Sequence, residues 1–218
     1  MNRTLSTMLV CLCLGLNGCS QQDNYRTAVY LLLDTSGTYT EELNKAQHVI
    51  NYMLSTLQAG DSFAVARIDS ASFSEKDIIA KATFDARPST SNRQKRDFAA
   101  TINQFVKGVK GSAYTDISGG LLQGIEFLNE TSAASKYILI YSDLKEDLPD
   151  GYTRDFDFEL DGYTVVALNV TKLRADNVDP NEYLQRVADW EQKITRGGGT
   201  WHVVNDFEKD GALDLASY

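Results

Sequence analysis

The sequence predicts an α/β fold in which a doubly wound, mostly parallel open sheet is flanked by helices. Continuous apolar runs of strand length, such as residues 28–33 (AVYLLL) and 137–141 (YILIY), are typical of strands buried on both faces. Apolar residues at helical spacing lie between most of these runs. Because alternating strands and helices build parallel sheets that helices cover, this fold class is expected.

The predicted elements occur in this order along the chain: strand 28–33, helix 43–57, strands 62–68 and 77–84, helices 98–111 and 121–128, strand 137–141, strand 163–168, helix 183–194 and strand 201–204. No helix separates the second and third strands, so an antiparallel pair is expected there. Ser118 is the predicted N-cap of the helix at 121–128, because hydroxyl side chains commonly accept the free N–H groups of a first turn.

Size and charge limit the function classes. The chain has 218 residues, 43% of them hydrophobic, which fits one domain with a buried core rather than a disordered chain. Its formal net charge is −9. A domain with that charge repels phosphate backbones, so nucleic acid is not an expected partner. Beyond the N-terminus, no apolar run has the length of a membrane span.

The N-terminus has the pattern of an export signal. Arg3 precedes a mostly apolar stretch, residues 5–16, that is short for a spanning helix. The stretch ends at Leu16-Asn17-Gly18-Cys19, which resembles the lipobox of bacterial lipoproteins, in which the Cys receives lipid. An ordinary secretory signal and an uncleaved N-terminal anchor are the alternatives.

The lipobox resemblance implies a division of the chain and a location. Residues 1–18 would be the signal peptide, 19–25 the lipidated Cys19 and a short tether, and 26–218 a single domain. Because Ser20 is not Asp, the resemblance also implies the outer membrane, with the domain facing the periplasm. The lipid anchor is therefore the expected membrane contact.

Oxygen-bearing side chains follow three predicted strands or loops. Asp34-Thr35-Ser36-Gly37-Thr38 comes after the first strand, Thr115-Asp116 leads into a helix, and Ser142-Asp143 follows the strand 137–141. Open parallel sheets bind ligands beyond the carboxyl ends of their strands. Carboxylates and hydroxyls without His or Cys suit a hard cation, Mg²⁺ first, then Mn²⁺ or Ca²⁺.

The order and spacing of these motifs resemble a von Willebrand factor A (VWA) domain with its metal-ion-dependent adhesion site, over roughly residues 25–206. The resemblance implies a Rossmann-like sheet and five metal ligands: Asp34, Ser36, Thr38, Thr115 and Asp143. Asp116 and Ser142 are candidates for supporting these ligands from behind. The family often has Asp-Gly in the third motif, where this chain has Asp143-Leu144.

A function follows from the resemblance as an expectation. The cation would take a Glu or Asp side chain from another protein in its open position, which makes the chain a membrane-anchored, metal-dependent adhesion or assembly module. The alternatives are a metal-free VWA scaffold subunit of a cell-envelope complex and a hydrolase.

The sequence lacks the motifs of several enzyme classes, and the chain is not expected to be an enzyme, although residue spacing alone leaves Ser-His-Asp chemistry open. Aspartyl-phosphate phosphatases need a second acid two residues after the first Asp, and position 36 is Ser. The sequence also has no nucleophile elbow and no Walker loop.

Single motifs also have purely structural interpretations. Thr38 with Glu41 would form a capping box. Asp116 would be a helix cap rather than a support of the metal ligands. Trp190 and Trp201 are interpreted as core residues.

An acidic insertion at residues 146–161 follows the third motif, and Arg154 is its only basic residue. It is interpreted as a partner-contact loop, an extra cation site or a solvated surface loop. Phe156, Phe158 and Leu160 alternate with acids, which predicts a short edge strand.

Overall fold

A computed structural model describes residues 25–36, 42–69, 73–173 and 175–205, together with Leu215. Its strands are β1 Thr27–Asp34, β2 Ser62–Ile68, β3 Ile78–Thr83, β4 Ser135–Tyr141, β5 Tyr163–Leu168 and β6 Thr200–Val204. The α-helices of the described residues are α1 Leu43–Thr56, α2 Pro88–Gly108, α3 Ile117–Glu130 and α4 Pro180–Arg196. The strands form one sheet in the order β3-β2-β1-β4-β5-β6.

Neighbouring strands run parallel throughout the sheet except for β2 and β3. The antiparallel pair was predicted and is confirmed. A parallel return needs a crossover of about a dozen residues or more, and the connection from Ile68 to Ile78 is too short for one. The sheet is therefore mostly parallel, as the sequence indicates.

β1 lies between β2 and β4, and its apolar run reflects burial on both faces. Alternate residues of β1 are fully buried in two separate hydrophobic clusters. Residues of α1 and α2 complete the first cluster, and residues of α3 and α4 complete the second. Since each face of the sheet carries two helices, the doubly wound architecture is confirmed.

α3 packs very close to β1 because two of its residues have no side chain. A Cβ on Gly120 would lie 2.7 Å from Cδ2 of Leu32, and one on Gly124 would lie 2.7 Å from Cδ1 of Tyr30. These contacts fix the position of α3 over β1. They thereby fix the N-terminus of α3, which Thr115 and Asp116 directly precede.

Three helices begin earlier than predicted: α3, at Ile117 rather than residue 121, and two helices that begin with proline. α2 begins at Pro88 rather than residue 98, and α4 at Pro180 rather than residue 183. Proline suits a first helical position because its missing N–H has no partner to lose there. The extra first turns carry few apolar residues, so hydrophobic periodicity could not find them.

The predicted N-cap at Ser118 is wrong. Asp116 is the N-cap of α3, and its side chain accepts a hydrogen bond from the backbone N–H of Gly119. Ser118 is instead the second residue of the helix. The helix-cap interpretation of Asp116 is therefore correct.

The edge strand predicted within the acidic insertion is also wrong, because residues 152–160 form no regular strand. Phe158 and Leu160 are buried in the second cluster, 3% and 0% exposed. The N–H of Leu160 donates to the carbonyl of Gly197, at the end of α4, over 2.8 Å. The alternation of apolar and acidic residues therefore reflects a segment whose apolar side chains pack against α4.

The signal peptide, Cys19, most of the tether, Thr38 and Glu41 lie outside the described residues. Within the described ranges, none of the helices combines the length and the apolar character needed to traverse a bilayer.

Candidate metal centre

Asp34 lies at the carboxyl end of β1, in the middle of the sheet edge. It is only 1% exposed, and its two carboxylate oxygens accept different hydrogen bonds. The N–H of Ser36 donates to Oδ1 over 2.8 Å, and the hydroxyl of Ser142 donates to Oδ2 over 2.6 Å. Ser142 therefore joins the first and third motifs, which are 108 residues apart in the chain.

The first and second motifs are joined through their backbones. Ser36 and Ser112 form a parallel bridge, and the N–H of Ser112 donates to the carbonyl of Thr35 over 2.7 Å. The Thr35 side chain points away from this contact, since its hydroxyl donates to the carbonyl of Ile68 at the end of β2.

The second motif is joined in the same way to the start of the acidic insertion, which follows the third motif. Thr115, 5% exposed, forms an antiparallel bridge with Asp147. The N–H of Thr115 donates to the carbonyl of Asp147 over 2.7 Å, and the reverse bond spans 3.0 Å. The structure thus brings together Asp34, Ser36, Thr115, Ser142 and Asp143 on three connected loops at one edge of the sheet.

Asp143 is the second carboxylate of the site and is 4% exposed. The N–H of Lys145 donates to its Oδ1 over 2.8 Å. Burial raises the pKa of Asp143, and the charge of Asp34 raises it further, while the bond from Lys145 and the charge of Arg186 act in the opposite direction. The loop thus holds a carboxylate in a place that disfavours its negative charge.

Leu144, where the family often has Gly, adopts a left-handed backbone conformation with φ of 65°. Its N–H donates to the Ser142 hydroxyl over 3.0 Å, and its carbonyl accepts a bond from Nε1 of Trp190 over 3.0 Å. The Leu144 side chain is 1% exposed. Leucine therefore keeps the turn of the third motif while filling the second core cluster.

Residues of α4 support the third motif, and the sequence did not reveal them. Nε of Arg186 donates to the carbonyl of Asp143 over 2.9 Å. The same guanidinium donates twice to Asp176, over 3.1 and 2.8 Å. Trp190 lies in the core as predicted, and it also holds Leu144. No local motif indicates Arg186, because it is 43 residues from Asp143.

Asp116 is fully buried, and its carboxylate is hydrogen-bonded within the protein rather than available to a metal. Its Oδ1 accepts the N–H of Gly119 over 2.8 Å and Nε of Arg154 over 3.0 Å. Its Oδ2 accepts Nη2 of Arg154 over 2.6 Å. Arg154 lies in the acidic insertion, which is therefore attached to the site rather than fully solvated.

The chemistry of these donors fits a hard divalent cation. Two buried carboxylates, Asp34 and Asp143, lie on adjoining loops, and a cation would offset the burial and the repulsion that together raise the pKa of Asp143. The described residues contain no group of three or more His, Cys, Asp or Glu side chains arranged to hold a metal. A cation here would thus depend on hydroxyl ligands, chiefly Ser36 and Thr115, beside the two carboxylates.

The sequence matches the family model of the von Willebrand factor type A domain over residues 28–210. The chain belongs to the VWA domain family. The match covers every strand of the sheet and all three motif loops, so the family resemblance is confirmed. Among proteins of curated function, none matches the sequence significantly.

Solved structures share the VWA fold at low sequence identity. The pilus adhesin SpaC from Lactobacillus rhamnosus GG has a TM-score of 0.53 and 14% identity, over 84% of this chain and 28% of that chain. A von Willebrand factor type A structure from Catenulispora acidiphila has a TM-score of 0.48 and 12% identity, over 85% and 41% of the two chains. An aerotolerance-related membrane protein from Bacteroides fragilis has a TM-score of 0.45 and 14% identity, over 88% and 100%.

The present chain spans less than two thirds of the SpaC and Catenulispora chains. It therefore corresponds to one part of each. At these identities the likeness to SpaC shows a common fold alone.

Proposed function

We propose that this VWA domain is a metal-dependent protein-binding module of the cell envelope, which binds a carboxylate of a partner protein through a divalent cation. The observation that carries the proposal is the bond between Ser142 and Asp34, 2.6 Å long, which unites two motif loops around buried carboxylates. The pairing of β1 with β4 already brings these two loops side by side, and a plain turn role for each motif would not require two buried carboxylates there.

Asp34, Ser36, Thr115 and Asp143 would hold the cation, together with Thr38, which lies outside the described residues. Mg²⁺ is the first choice, with Mn²⁺ and Ca²⁺ as alternatives, because all these ligands are oxygen atoms. When bound, the cation supplies a positive centre that attracts an external carboxylate. Asp34 and Asp143 orient the site, and the hydrogen bonds from Ser36, Ser142 and Lys145 keep both carboxylates in place.

The partner is expected to offer a Glu or Asp side chain. A chain with a formal net charge of −9 does not attract acidic proteins over long distances. A local positive centre at the sheet edge would supply that attraction, and acids of the insertion would disfavour poorly fitting acidic partners. Specificity would then come from one shaped interface.

Location completes the proposal. The N-terminal sequence supports a lipid anchor at Cys19, with the domain held close to the outer membrane by a short tether. Membrane affinity would come from the lipid chains, since an acidic domain is repelled by anionic lipid surfaces.

A metal-free scaffold role is the second candidate, and one observation favours it. Hydrogen bonds already occupy both oxygens of Asp34 and one oxygen of Asp143, so the loops have internal support. The proposal assigns no catalytic step to the chain. Turnover of a substrate by the purified protein would reopen that question.

Crosslinking in the native cells tests the proposed function. The full-length protein is crosslinked with Mg²⁺ present, with EDTA, and as the Asp34→Ala variant. The proposal expects one partner protein with Mg²⁺ and its loss in the other two conditions. Equal capture in all three would favour the metal-free scaffold.

A further inference from the structure

The acidic insertion, residues 146–161, is fastened to the second motif loop at two points. The first is the reciprocal pair of backbone hydrogen bonds between Asp147 and Thr115, 2.7 and 3.0 Å long. The second is the two-pronged ion pair between Arg154 and Asp116, 3.0 and 2.6 Å long. Both fasten the residues that lead into α3.

Burial makes the second attachment necessary. Asp116 is fully buried, and a buried carboxylate without a partner is strongly destabilising. Arg154, whose side chain is 20% exposed, is the only basic residue of the insertion. The insertion therefore supplies the counter-charge for a residue that directly follows Thr115.

The start of the insertion also binds the first turn of α3. Glu146 accepts the N–H of Ser118 over 2.6 Å and the Ser118 hydroxyl over 3.1 Å. Asp116 accepts the N–H of Gly119 in the same turn. Carboxylates of the chain itself thus occupy this helix N-terminus, and the insertion and the second motif loop form one hydrogen-bonded unit.

We propose that Arg154 is a positioning residue of the metal site: its two bonds to Asp116 hold the insertion against α3 and so keep Thr115 in place as a ligand. The proposal rests on the proposed metal-dependent function, because Thr115 matters here as a ligand. It also explains why Asp116 does not add a third carboxylate to the site: its charge is paired with the guanidinium of Arg154, which contacts both of its oxygens. The acidic insertion then supports the metal site by holding the second motif loop in position.

The insertion offers a matched control. Arg196 of α4 pairs with Asp157 of the insertion, with side chains 58% and 72% exposed. Exposed pairs contribute little, so Arg196→Gln removes an arginine contact to the same segment without disturbing Thr115. Leu128→Ala is a second control, because it removes a fully buried side chain at the far end of α3.

The experiment uses the full-length protein in detergent and two readouts. Amide hydrogen exchange in EDTA reports the protection of the segments around Thr115 and Asp147 without metal. Calorimetric titration with Mn²⁺ reports the affinity of the site. The variants are Arg154→Gln, Arg154→Lys, Arg196→Gln and Leu128→Ala.

The proposal expects Arg154→Gln to exchange faster at both segments and to bind Mn²⁺ about tenfold more weakly or worse, as is typical when a residue behind a metal ligand is lost. Arg154→Lys keeps the charge but loses the planar fork, so it should show a smaller weakening. It also carries the test if Arg154→Gln does not fold. Arg196→Gln and Leu128→Ala should keep the wild-type affinity.

Wild-type Mn²⁺ affinity in both Arg154 variants would overturn the positioning role while leaving the proposed function intact. An equal loss of affinity in Leu128→Ala would also overturn it, because general destabilisation would then suffice. Absence of Mn²⁺ binding by the wild type would refute the proposed function and, with it, this role of Arg154.

Discussion

Replacing Leu144 by Gly and by Ala separates two opposing effects in the third motif. Leu144 is 1% exposed, and its φ of 65° lies in the left-handed region. Truncating a buried Leu to Ala typically costs about 2–5 kcal/mol. A non-glycine residue in the left-handed conformation costs about 1 kcal/mol, and Gly relieves that cost. The backbone bonds to Ser142 and Trp190 are available to both variants.

Both variants should therefore be less stable than the wild type, but Leu144→Gly should be about 1 kcal/mol more stable than Leu144→Ala. Leu121 is a matched control, because it is fully buried in the helix α3. Leu121→Gly should be about 1 kcal/mol less stable than Leu121→Ala, because Gly has the lower helix propensity. The Gly–Ala difference should thus change sign between the two sites.

Urea unfolding of the four variants in EDTA measures these differences as changes in the midpoint at constant slope. If Leu144→Gly is less stable than Leu144→Ala by as much as at position 121, the left-handed backbone conformation of Leu144 carries no free-energy cost. The reasoning about the third motif would then be refuted.

Three further predictions concern packing, pH and the anchor. Gly124→Ala should lower the free energy of unfolding by about 1–3 kcal/mol, because the new Cβ would lie 2.7 Å from the Tyr30 ring. This cost should exceed the gain from the better helix propensity of Ala, and a variant more stable than the wild type in urea would contradict the prediction. Hydrogen bonds from Arg186 hold the pKa of Asp176 below its ordinary 3.8, so its stabilising effect is present above that value and is lost as the pH falls through the lowered pKa. Asp176→Asn should therefore be less stable at pH 7 and lose less stability on acidification than the wild type, and parallel urea-midpoint profiles would count against it. Cys19→Ser should move the protein from the membrane to the soluble periplasmic fraction, since lipid chains supply the affinity; retention on membranes would argue against the lipobox.

The strands were predictable because a strand that is buried on both faces appears in the sequence as a continuous apolar run. The run 28–33 belongs to β1, and every residue from Ala28 to Leu33 is fully buried. The first turns of α2 and α4 were missed because they begin with Pro and polar residues, which carry no hydrophobic period. Ser118 and Asp116 are both good caps, and the sequence does not show that α3 begins at Ile117, directly after the residue that pairs with Asp147.

The sequence alone suggests only part of the candidate metal site. Asp34, Ser36, Thr115 and Asp143 could be chosen because they follow predicted strands or loops in the family order. Tertiary contacts decide the remainder: Arg154 reaches Asp116 across 38 residues. Partners at such separations arise from packing and leave no local pattern.

Titration of the full-length protein with Mn²⁺ and Mg²⁺ tests the central claim most directly, using Asp34→Asn and Asp61→Asn as a matched pair. Asp61 is also buried, 7% exposed, but accepts hydrogen bonds from the N–H groups of Thr27 and Gln58 at the opposite edge of the sheet. Each change removes one buried carboxylate charge while keeping the side-chain shape. We expect the wild type and Asp61→Asn to bind the cations at millimolar concentration or below, and Asp34→Asn to lose binding. Undetectable binding by the wild type, or unchanged binding by Asp34→Asn, would contradict a metal site at the end of β1.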